Sequence, residues 1–315
     1  MRAVRFVEGK VVVEDVPSPT GDGVLLNVRA CGICGSDTTM LDAGYPIAGI
    51  PGHEISGELP DGTPVAVEPL EPCGACHDCM AGNHQVCATA VAAIVGVGRD
   101  GGMAEQVLVP EASLVPLPRN VDARTACLVE PLAVAVHGVR RAEIDGTTRV
   151  LVMGGGAIGL SAVAAARATH AEVDLVARHP AQRAAGKQLG AQVVDTAESG
   201  AYDVVLDCAG SESAIAASCE ALRPRGLLLM LASSWDTFTL PGLVMGAKEL
   251  DLRMSAMYGR AGTLRDVDAA AGILAADDAV ADALITDRFP LDRATEAFER
   301  SRDRKGGAIK VVLEP

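Results

Sequence analysis

The residues with the most specific chemistry in this sequence are four closely spaced cysteines, Cys73, Cys76, Cys79 and Cys87. Zn²⁺ binds four thiolates at such short spacings, and its binding then stabilises a segment that has few apolar residues of its own. Two disulfides are the alternative. Because nothing at the N-terminus resembles a secretory signal, we expect a reducing, cytoplasmic environment in which disulfides are rare. The spacing therefore predicts a structural zinc site.

A glycine-rich turn in the middle of the chain has the pattern of a dinucleotide-binding site. It reads Gly154-Gly155-Gly156-Ala157-Ile158-Gly159 and lies between an apolar run at 150–153 and an alanine-rich segment. In a strand–turn–helix unit, the first glycine of this pattern permits a tight turn. The second lets a pyrophosphate approach the backbone, and the third lets the helix pack closely on the strand. We predict that the turn binds NAD or NADP; the alternative is a tight turn without a ligand.

The residues that follow the next predicted strand bear on the choice of cofactor. An acidic residue about twenty positions after the glycines accepts hydrogen bonds from the 2′-hydroxyl of NAD. This chain has Ala177 and Arg178 there, and Asp174 lies too early in the strand to serve. A guanidinium favours the 2′-phosphate of NADP. We therefore predict that NADP is preferred over NAD, the alternative being that Arg178 is a solvated surface charge.

Composition narrows the classes of protein and of partner. The chain has 315 residues, of which 49% are apolar, and this length suits two domains. Its net charge of −14 would repel a phosphate backbone or an acidic membrane, so nucleic acid is not an expected partner. We find no apolar run long enough to span a membrane, and we expect a protein that is not bound to one.

The elements that must position these residues fall into two groups. The first 120 residues contain short β-branched runs joined by turns, such as 11–13, 24–28 and 106–109, which predict strands. From about Val121, alanine-rich helical stretches alternate with apolar runs, which is typical of a doubly wound parallel sheet. Its predicted strands are 149–153, 173–177, 192–194, 203–207 and 226–231, with helices at 159–169, 181–189 and 212–222. A closing strand at 309–313 is expected to return to the first group.

A second constellation carries a resemblance to a known family. Its parts are the stretch at 31–37, Gly52-His53-Glu54, Glu130-Pro131-Leu132, and the closing segments at 289–291, 297–298 and 307–311. Together with the cysteine cluster and the glycine turn, it resembles the zinc-dependent medium-chain dehydrogenase/reductase family, and within it the polyol (sorbitol-type) dehydrogenases. The resemblance implies an α/β protein with a Rossmann doubly wound sheet domain at 134–276. Residues 1–133 and 277–315 would form a GroES-like, partly open β-barrel catalytic domain.

The resemblance also implies a catalytic zinc and a reaction. Cys34 and His53 match the zinc ligands of the family, with a carboxylate supplied by Glu54, by Glu130 or by both; Glu130 could instead reach the metal through water. The alternative is that Cys34 is a buried apolar thiol and His53 a capped loop histidine. Asp37 would orient the ring of His53. Ser36 would take the alcohol proton first, the alternative being that its hydroxyl caps its own turn. The expected reaction interconverts a secondary alcohol (a polyol, cyclitol or sugar-like molecule) and its ketone with NAD(P).

The sequence departs from the pattern of this family at two places. Thr39 stands where related enzymes often have a histidine that passes the proton to solvent, and the stretch at 57–65 is shorter than its usual counterpart.

The family suggests a homodimer or homotetramer in which the strand near 250–257 pairs across subunits. The rival functions are a zinc-ribbon nucleic-acid module, which the acidic charge opposes, and a cofactor-binding scaffold without catalytic activity.

Overall fold

The computed structural model describes residues 1–45, 47 and 49–315. The chain forms two compact units. The first unit comprises Met1–Glu130, Gly259–Ala281 and Ile285–Pro315, and the second comprises Pro131–Tyr258 and Asp282–Leu284. Among the described residues, no helix is both long enough and apolar enough to span a membrane.

The chain has seventeen strands and eleven α-helices within the described residues. The strands are β1 Arg2–Val7, β2 Lys10–Asp15, β3 Val24–Gly32, β4 Glu54–Glu58, β5 Pro64–Val67, β6 Gln106–Val109, β7 Leu114–Pro116, β8 Arg149–Met153, β9 Glu172–Val176, β10 Gln192–Val194, β11 Tyr202–Asp207, β12 Leu222–Met230, β13 Asp251–Met254, β14 Arg260–Ala261, β15 Leu264–Arg265, β16 Ile285–Pro290 and β17 Lys310–Glu314. The helices are α1 Gly35–Asp42, α2 His77–Met80, α3 Ala88–Ala92, α4 Val129–Arg141, α5 Ala157–Ala168, α6 Pro180–Gln188, α7 Glu212–Ala221, α8 Gly242–Lys248, α9 Asp266–Ala276, α10 Ala279–Leu284 and α11 Ala294–Arg302.

The first unit is built on a sheet with the strand order β16-β17-β3-β4-β5-β7, to which β6 adds by pairing with β3. The expected return of the closing strand is confirmed, because β17 pairs with β3 at Val312–Gly32 and Leu313–Cys31. The two ends of this strand order do not pair within the described residues, as expected for a partly open barrel. Apolar side chains such as Leu26 pack the core of the unit.

The second unit is a six-stranded parallel sheet in the order β10-β9-β8-β11-β12-β13. This is the doubly wound order predicted from the sequence, in which the first strand of the unit lies centrally and later strands add on both sides. Strand β8 is buried along nearly its whole length, as are the strand residues Val205 and Leu228 of its neighbours. Continuous burial explains why the strands of this unit read as uninterrupted apolar runs.

Candidate active site and metal centres

The four-cysteine cluster comes together in the structure. The sulfurs of Cys73, Cys76, Cys79 and Cys87 all lie within 4.8 Å of one another. Backbone amides point at three of these sulfurs: Cys73 N is 3.5 Å from Cys87 Sγ, Cys76 N is 3.4 Å from Cys73 Sγ, and Cys79 N is 3.5 Å from Cys76 Sγ. All nine cysteines of the chain are within the described residues, and each is a free thiol.

The electrostatics of this cluster fit a metal held by thiolates. Backbone N–H groups of Cys73 and Ala90 lower the pKa of Cys87 to about 6, whereas burial raises the pKa of Cys79 to about 12. Four neighbouring sulfurs repel one another when ionised, so a cation is needed for all of them to be thiolates together. A tetrahedral set of four cysteine sulfurs is the donor set that structural zinc prefers.

The second constellation also converges, at the ends of two paired strands. Cys34 directly precedes α1, just after β3; His53 directly precedes β4, and Glu54 is the first residue of that strand. Because β3 and β4 are antiparallel with Gly32 opposite Glu54, the two ligand-bearing segments are neighbours. A ligand atom from each of Cys34, His53 and Glu54 lies within 4.8 Å of the other two. Among the described residues, this group has three members and does not include Glu130, which is buried at the start of α4.

Asp37 connects the two ligand-bearing segments. Its side chain is fully buried, its Oδ2 accepts a hydrogen bond from Cys34 N at 2.8 Å, and its Oδ1 lies 3.5 Å from His53 Nδ1. Burial acts to lower the pKa of His53, but the charges of Asp37, Cys34 and Glu130 outweigh it and hold that pKa well above its usual value. The site is therefore a region of negative potential, which favours a bound cation.

Lys310 is a buried residue of the site that sequence reasoning missed. Its Nζ lies 2.5 Å from Glu54 Oε1 and 3.2 Å from the carbonyl oxygen of Ile33. The side chains of Lys310 and Glu54 are only 3% and 1% exposed. A Cβ at Gly32 would come within 1.9 Å of the other carboxylate oxygen, Glu54 Oε2, so only glycine leaves room for this arrangement. The lysine thus ties together the residue before Cys34 and the residue after His53.

Three buried polar atoms in this region have no hydrogen-bond partner within the described residues. They are Asp37 Oδ1, His53 Nδ1 and Glu54 Oε2. Buried polar atoms are rarely left unsatisfied, because desolvation without a partner is costly. The mixed thiolate, imidazole and carboxylate donors are those of catalytic zinc sites, which keep one coordination position open. The residues present therefore fit a zinc ion.

The hydroxyls beside these residues differ in their availability. Ser36 is half-buried, and its hydroxyl makes no hydrogen bond among the described residues; the cap position of α1 is taken by Cys34. Thr39 Oγ1 donates to the carbonyl oxygen of Gly35 at 3.0 Å, within the first turns of α1. The hydroxyl of Ser36 is therefore free to bind a substrate group, and that of Thr39 is already engaged.

The glycine turn has the geometry that phosphate binding requires. Gly154 has φ +108°, and a Cβ at Gly159 would lie 1.8 Å from the Gly154 carbonyl oxygen, so neither position tolerates a side chain. A Cβ at Gly156 would meet nothing within 4 Å, which leaves open space in front of the N-terminus of α5, where Ala157 and Ile158 begin the helix. Unpaired N–H groups at such a helix end bind phosphate.

The residues that follow β9 lie where the ribose of a dinucleotide is recognised. Ala177 is buried directly after β9, and Arg178 is exposed with no ion-pair or hydrogen-bond partner among the described residues. Asp174 Oδ2 accepts a hydrogen bond from the hydroxyl of Tyr202 at 2.6 Å, so this carboxylate is engaged elsewhere.

Two family models match the chain and together span most of it. The alcohol dehydrogenase GroES-like domain matches residues 20–119, and the glucose dehydrogenase C-terminus matches residues 123–314. The two regions separate close to the division between the first and second units at Glu130.

Individual relatives align over nearly the full length. L-galactonate-5-dehydrogenase of Escherichia coli strain K12 is 28% identical, over 95% of this chain and 94% of its own. D-xylulose reductase A of Aspergillus niger is 30% identical, over 96% of this chain and 93% of its own. A candidate zinc-binding dehydrogenase from Sinorhizobium meliloti 1021, solved bound to NADP, superposes with a TM-score of 0.88 at 29% identity, covering 100% of this chain and 99% of that one. As the sequence resemblance indicated, the chain belongs to the zinc-dependent medium-chain dehydrogenase/reductase family, with polyol dehydrogenases among its relatives.

Proposed function

We propose that this protein is a zinc-dependent oxidoreductase that interconverts a secondary alcohol and its ketone, using NAD(P). The observation that carries the proposal is the Cys34, His53 and Glu54 group, whose ligand atoms lie within 4.8 Å of one another in a chain that also has a dinucleotide-binding turn. The relatives named for L-galactonate and D-xylulose point to polyhydroxylated substrates, which include polyols, cyclitols and sugar-like molecules.

The chain offers two sites for zinc. Cys34 and His53, with Glu54 or Glu130 as the carboxylate, would hold a catalytic zinc, and Cys73, Cys76, Cys79 and Cys87 would hold a structural one. A zinc ion at the first site would act as a Lewis acid that polarises the oxygen of the substrate and makes its hydroxyl more acidic.

The other parts of the mechanism belong to side chains of the chain itself. The carboxylate of Asp37, 3.5 Å from His53 Nδ1, orients the imidazole ring so that the other ring nitrogen is available as a ligand. The hydroxyl of Ser36, which makes no hydrogen bond among the described residues, relays the proton: in oxidation it takes the proton of the alcohol as it gives its own proton to water, and in reduction the transfer runs in reverse. Because Thr39 is engaged by the carbonyl of Gly35, the outer part of the proton path uses water or another group.

NADP is the cofactor that the second unit favours. Ala177 removes the carboxylate that would bind a free 2′-hydroxyl, Asp174 is engaged by Tyr202, and Arg178 is unpaired and exposed. A guanidinium in this position pairs with a 2′-phosphate through charge-assisted hydrogen bonds.

A homodimer or homotetramer is the proposed assembly. Strand β13, Asp251–Met254, is the last strand in the order of the parallel sheet, and no further strand pairs with its outer edge within the described residues. Met254 on this strand is 48% exposed. An unprotected edge strand is a template for pairing with a second chain, and a second copy would cover it symmetrically.

The experiment is a substrate screen with matched variants. Purified protein is assayed with polyols, cyclitols, aminocyclitols and sugar acids, and with NAD and NADP separately. Turnover that is lost in Cys34→Ala, while cofactor binding and folding are retained, supports the proposal. If the wild-type protein binds cofactor and zinc but turns over no alcohol or ketone in the panel, the scaffold without catalytic activity is the better explanation.

A further inference from the structure

A salt bridge at the edge of the cofactor-binding sheet has no role in the mechanism above. Arg183, in the first half of α6, extends its side chain to the carboxyl ends of two neighbouring strands. Its Nη1 lies 3.4 Å from the carbonyl oxygens of both Ala177 and Val194, and its Nη2 lies 2.8 Å from Asp195 Oδ1. The Arg183 side chain is 30% exposed, whereas that of Asp195 is 91% exposed.

The position of this guanidinium bears on cofactor recognition. Ala177 is the first residue after β9, and the ribose of a dinucleotide is read at the end of that strand. A group bonded to the Ala177 carbonyl is therefore adjacent to the place where the 2′ substituent must lie. Arg178, the next residue, is exposed and unpaired among the described residues and is the proposed partner of this substituent. The carboxylate of Asp195 borders it with the opposite charge.

Arg183 makes two contacts with backbone carbonyl oxygens, which hold it in place, and one contact with a carboxylate, which a ligand can replace. The two carbonyl contacts hold Nη1 at the ends of β9 and β10. The contact with Asp195 is an exposed ion pair, which contributes little because solvent and salt screen it. A phosphate offers more acceptor oxygens than a carboxylate, and the planar guanidinium binds it in a bidentate way. Exchange of Asp195 for a phosphate at Nη2 would therefore leave the anchored part of Arg183 in place.

We propose that Arg183 is a second specificity-determining residue for the 2′-phosphate of NADP, and that Asp195 competes with this phosphate for its guanidinium. The proposal rests on the proposed use of NAD(P) by this site. In the free protein Asp195 neutralises Arg183; in the NADP complex the phosphate replaces Asp195 at Nη2. The aspartate thus limits the preference for NADP, because its charge both occupies Arg183 and repels the incoming phosphate.

The test is a binding titration, which does not depend on catalysis. Dissociation constants of NADP, NAD, 2′,5′-ADP and 5′-AMP are measured by calorimetry for the full-length wild-type protein, Arg183→Gln, Asp195→Asn and Arg178→Gln. The matched control is Glu198→Gln. It removes one negative charge from another exposed ion pair, with Arg149, which is the first residue of β8 and so lies at the opposite end of the sheet from the glycine turn.

Arg183→Gln should weaken NADP and 2′,5′-ADP binding by roughly 10-fold, the scale of one charge-assisted hydrogen bond, and change NAD and 5′-AMP binding by less than about twofold. Asp195→Asn should strengthen binding of the two 2′-phosphorylated ligands by roughly 3- to 10-fold, since it removes a competing charge next to the phosphate. Glu198→Gln should leave all four constants unchanged.

The outcomes separate this inference from the cofactor proposal. If Arg178→Gln abolishes a clear preference for NADP while Asp195→Asn and Arg183→Gln leave it unchanged, the cofactor proposal stands and the role of Arg183 is refuted. If the wild-type protein binds NAD and NADP equally and no variant alters the ratio, both are refuted. Because Asp195 is almost fully exposed, Asp195→Asn remains informative even if Arg183→Gln impairs folding. Equal weakening of NAD and NADP in Arg183→Gln would assign the arginine a purely structural role.

Discussion

Lys310→Met is the substitution that most directly probes the architecture of the proposed catalytic zinc site. It replaces the ammonium group with a thioether of similar volume, so no large cavity forms. The loss is electrostatic: Glu54 keeps its charge in a position where it is 1% exposed, and the contact of Lys310 Nζ with the Ile33 carbonyl at 3.2 Å disappears. Glu54 Oε2 already lacks a hydrogen-bond partner within the described residues, so both carboxylate oxygens would then be unpaired.

The magnitude follows from the depth of the pair. Removing one partner of a buried salt bridge destabilises a protein by about 3–5 kcal/mol, because an uncompensated charge is left behind. For a folded unit of about 150–250 residues, each 1 kcal/mol lowers the melting temperature by about 2–4 °C. Lys310→Met should therefore lower the melting temperature of the first unit by roughly 6–20 °C.

The assay is calorimetric or spectroscopic melting of the zinc-loaded protein, with two comparisons. Lys305→Met is the matched control, since Lys305 is exposed and lies five residues earlier in the same segment; it should leave the melting temperature within about 2 °C of wild type. The double variant Glu54→Gln with Lys310→Met removes both charges and should regain much of the loss, because groups in direct contact are not additive.

Two results would refute this reasoning. If Lys310→Met melts at the same temperature as Lys305→Met, the buried pair contributes nothing net to stability. If the double variant is as unstable as the sum of the two single variants, the cost comes from lost packing and not from the unpaired charge of Glu54.

Three further predictions concern the metal sites, the proton path and the second unit. Elemental analysis should give two zinc ions per chain, and one zinc or none in the wild-type protein would refute the assignment. Cys76→Ser should lose one zinc ion and melt at a lower temperature, whereas Cys34→Ala should melt near the wild-type temperature but show no turnover. Ser36→Ala should lower kcat by roughly 10²-fold with cofactor binding unchanged, and wild-type rates would mean that another group takes the proton. Lys248 Nζ donates hydrogen bonds to the carbonyl oxygens of Cys219, Glu220 and Leu222 at the end of α7. Lys248→Met should therefore destabilise the second unit by about 1–3 kcal/mol in a melting experiment. An unchanged melting temperature would show that water replaces the lysine.

The second unit was the part of the fold most accessible from the sequence. Its strands at 149–153 and 192–194 were predicted with the bounds that the structure has, and the others within a few residues. The reason is physical: a parallel sheet buried on both faces requires continuous apolar runs, and the glycine turn fixes where the first strand ends. The strand predicted at 226–231 begins earlier, at Leu222, because this buried residue pairs with Tyr202 of β11; the exposed residues that follow it form an irregularity before pairing resumes at Leu227.

Long-range ion pairs were the part that the sequence could not supply. Lys310 and Glu54 are 256 positions apart, and they meet only because β17 and β4 both flank β3. A lysine in an otherwise apolar strand is a signal that something buried must pair with it, because lysine is almost never fully buried without a partner. Its partner, however, depends on strand order and register, which a single sequence does not specify.

The Glu54–Lys310 pair also bears on the question of the carboxylate ligand. One oxygen of Glu54 is bonded to Lys310, and the other faces Gly32, where any side chain would collide with it. A carboxylate anchored through one oxygen can offer the second to a metal only if it rotates or stretches that bond. The strength of the Lys310 contact therefore sets how readily Glu54 can act as a ligand, which is why stability and zinc content should be measured on the same Lys310→Met samples.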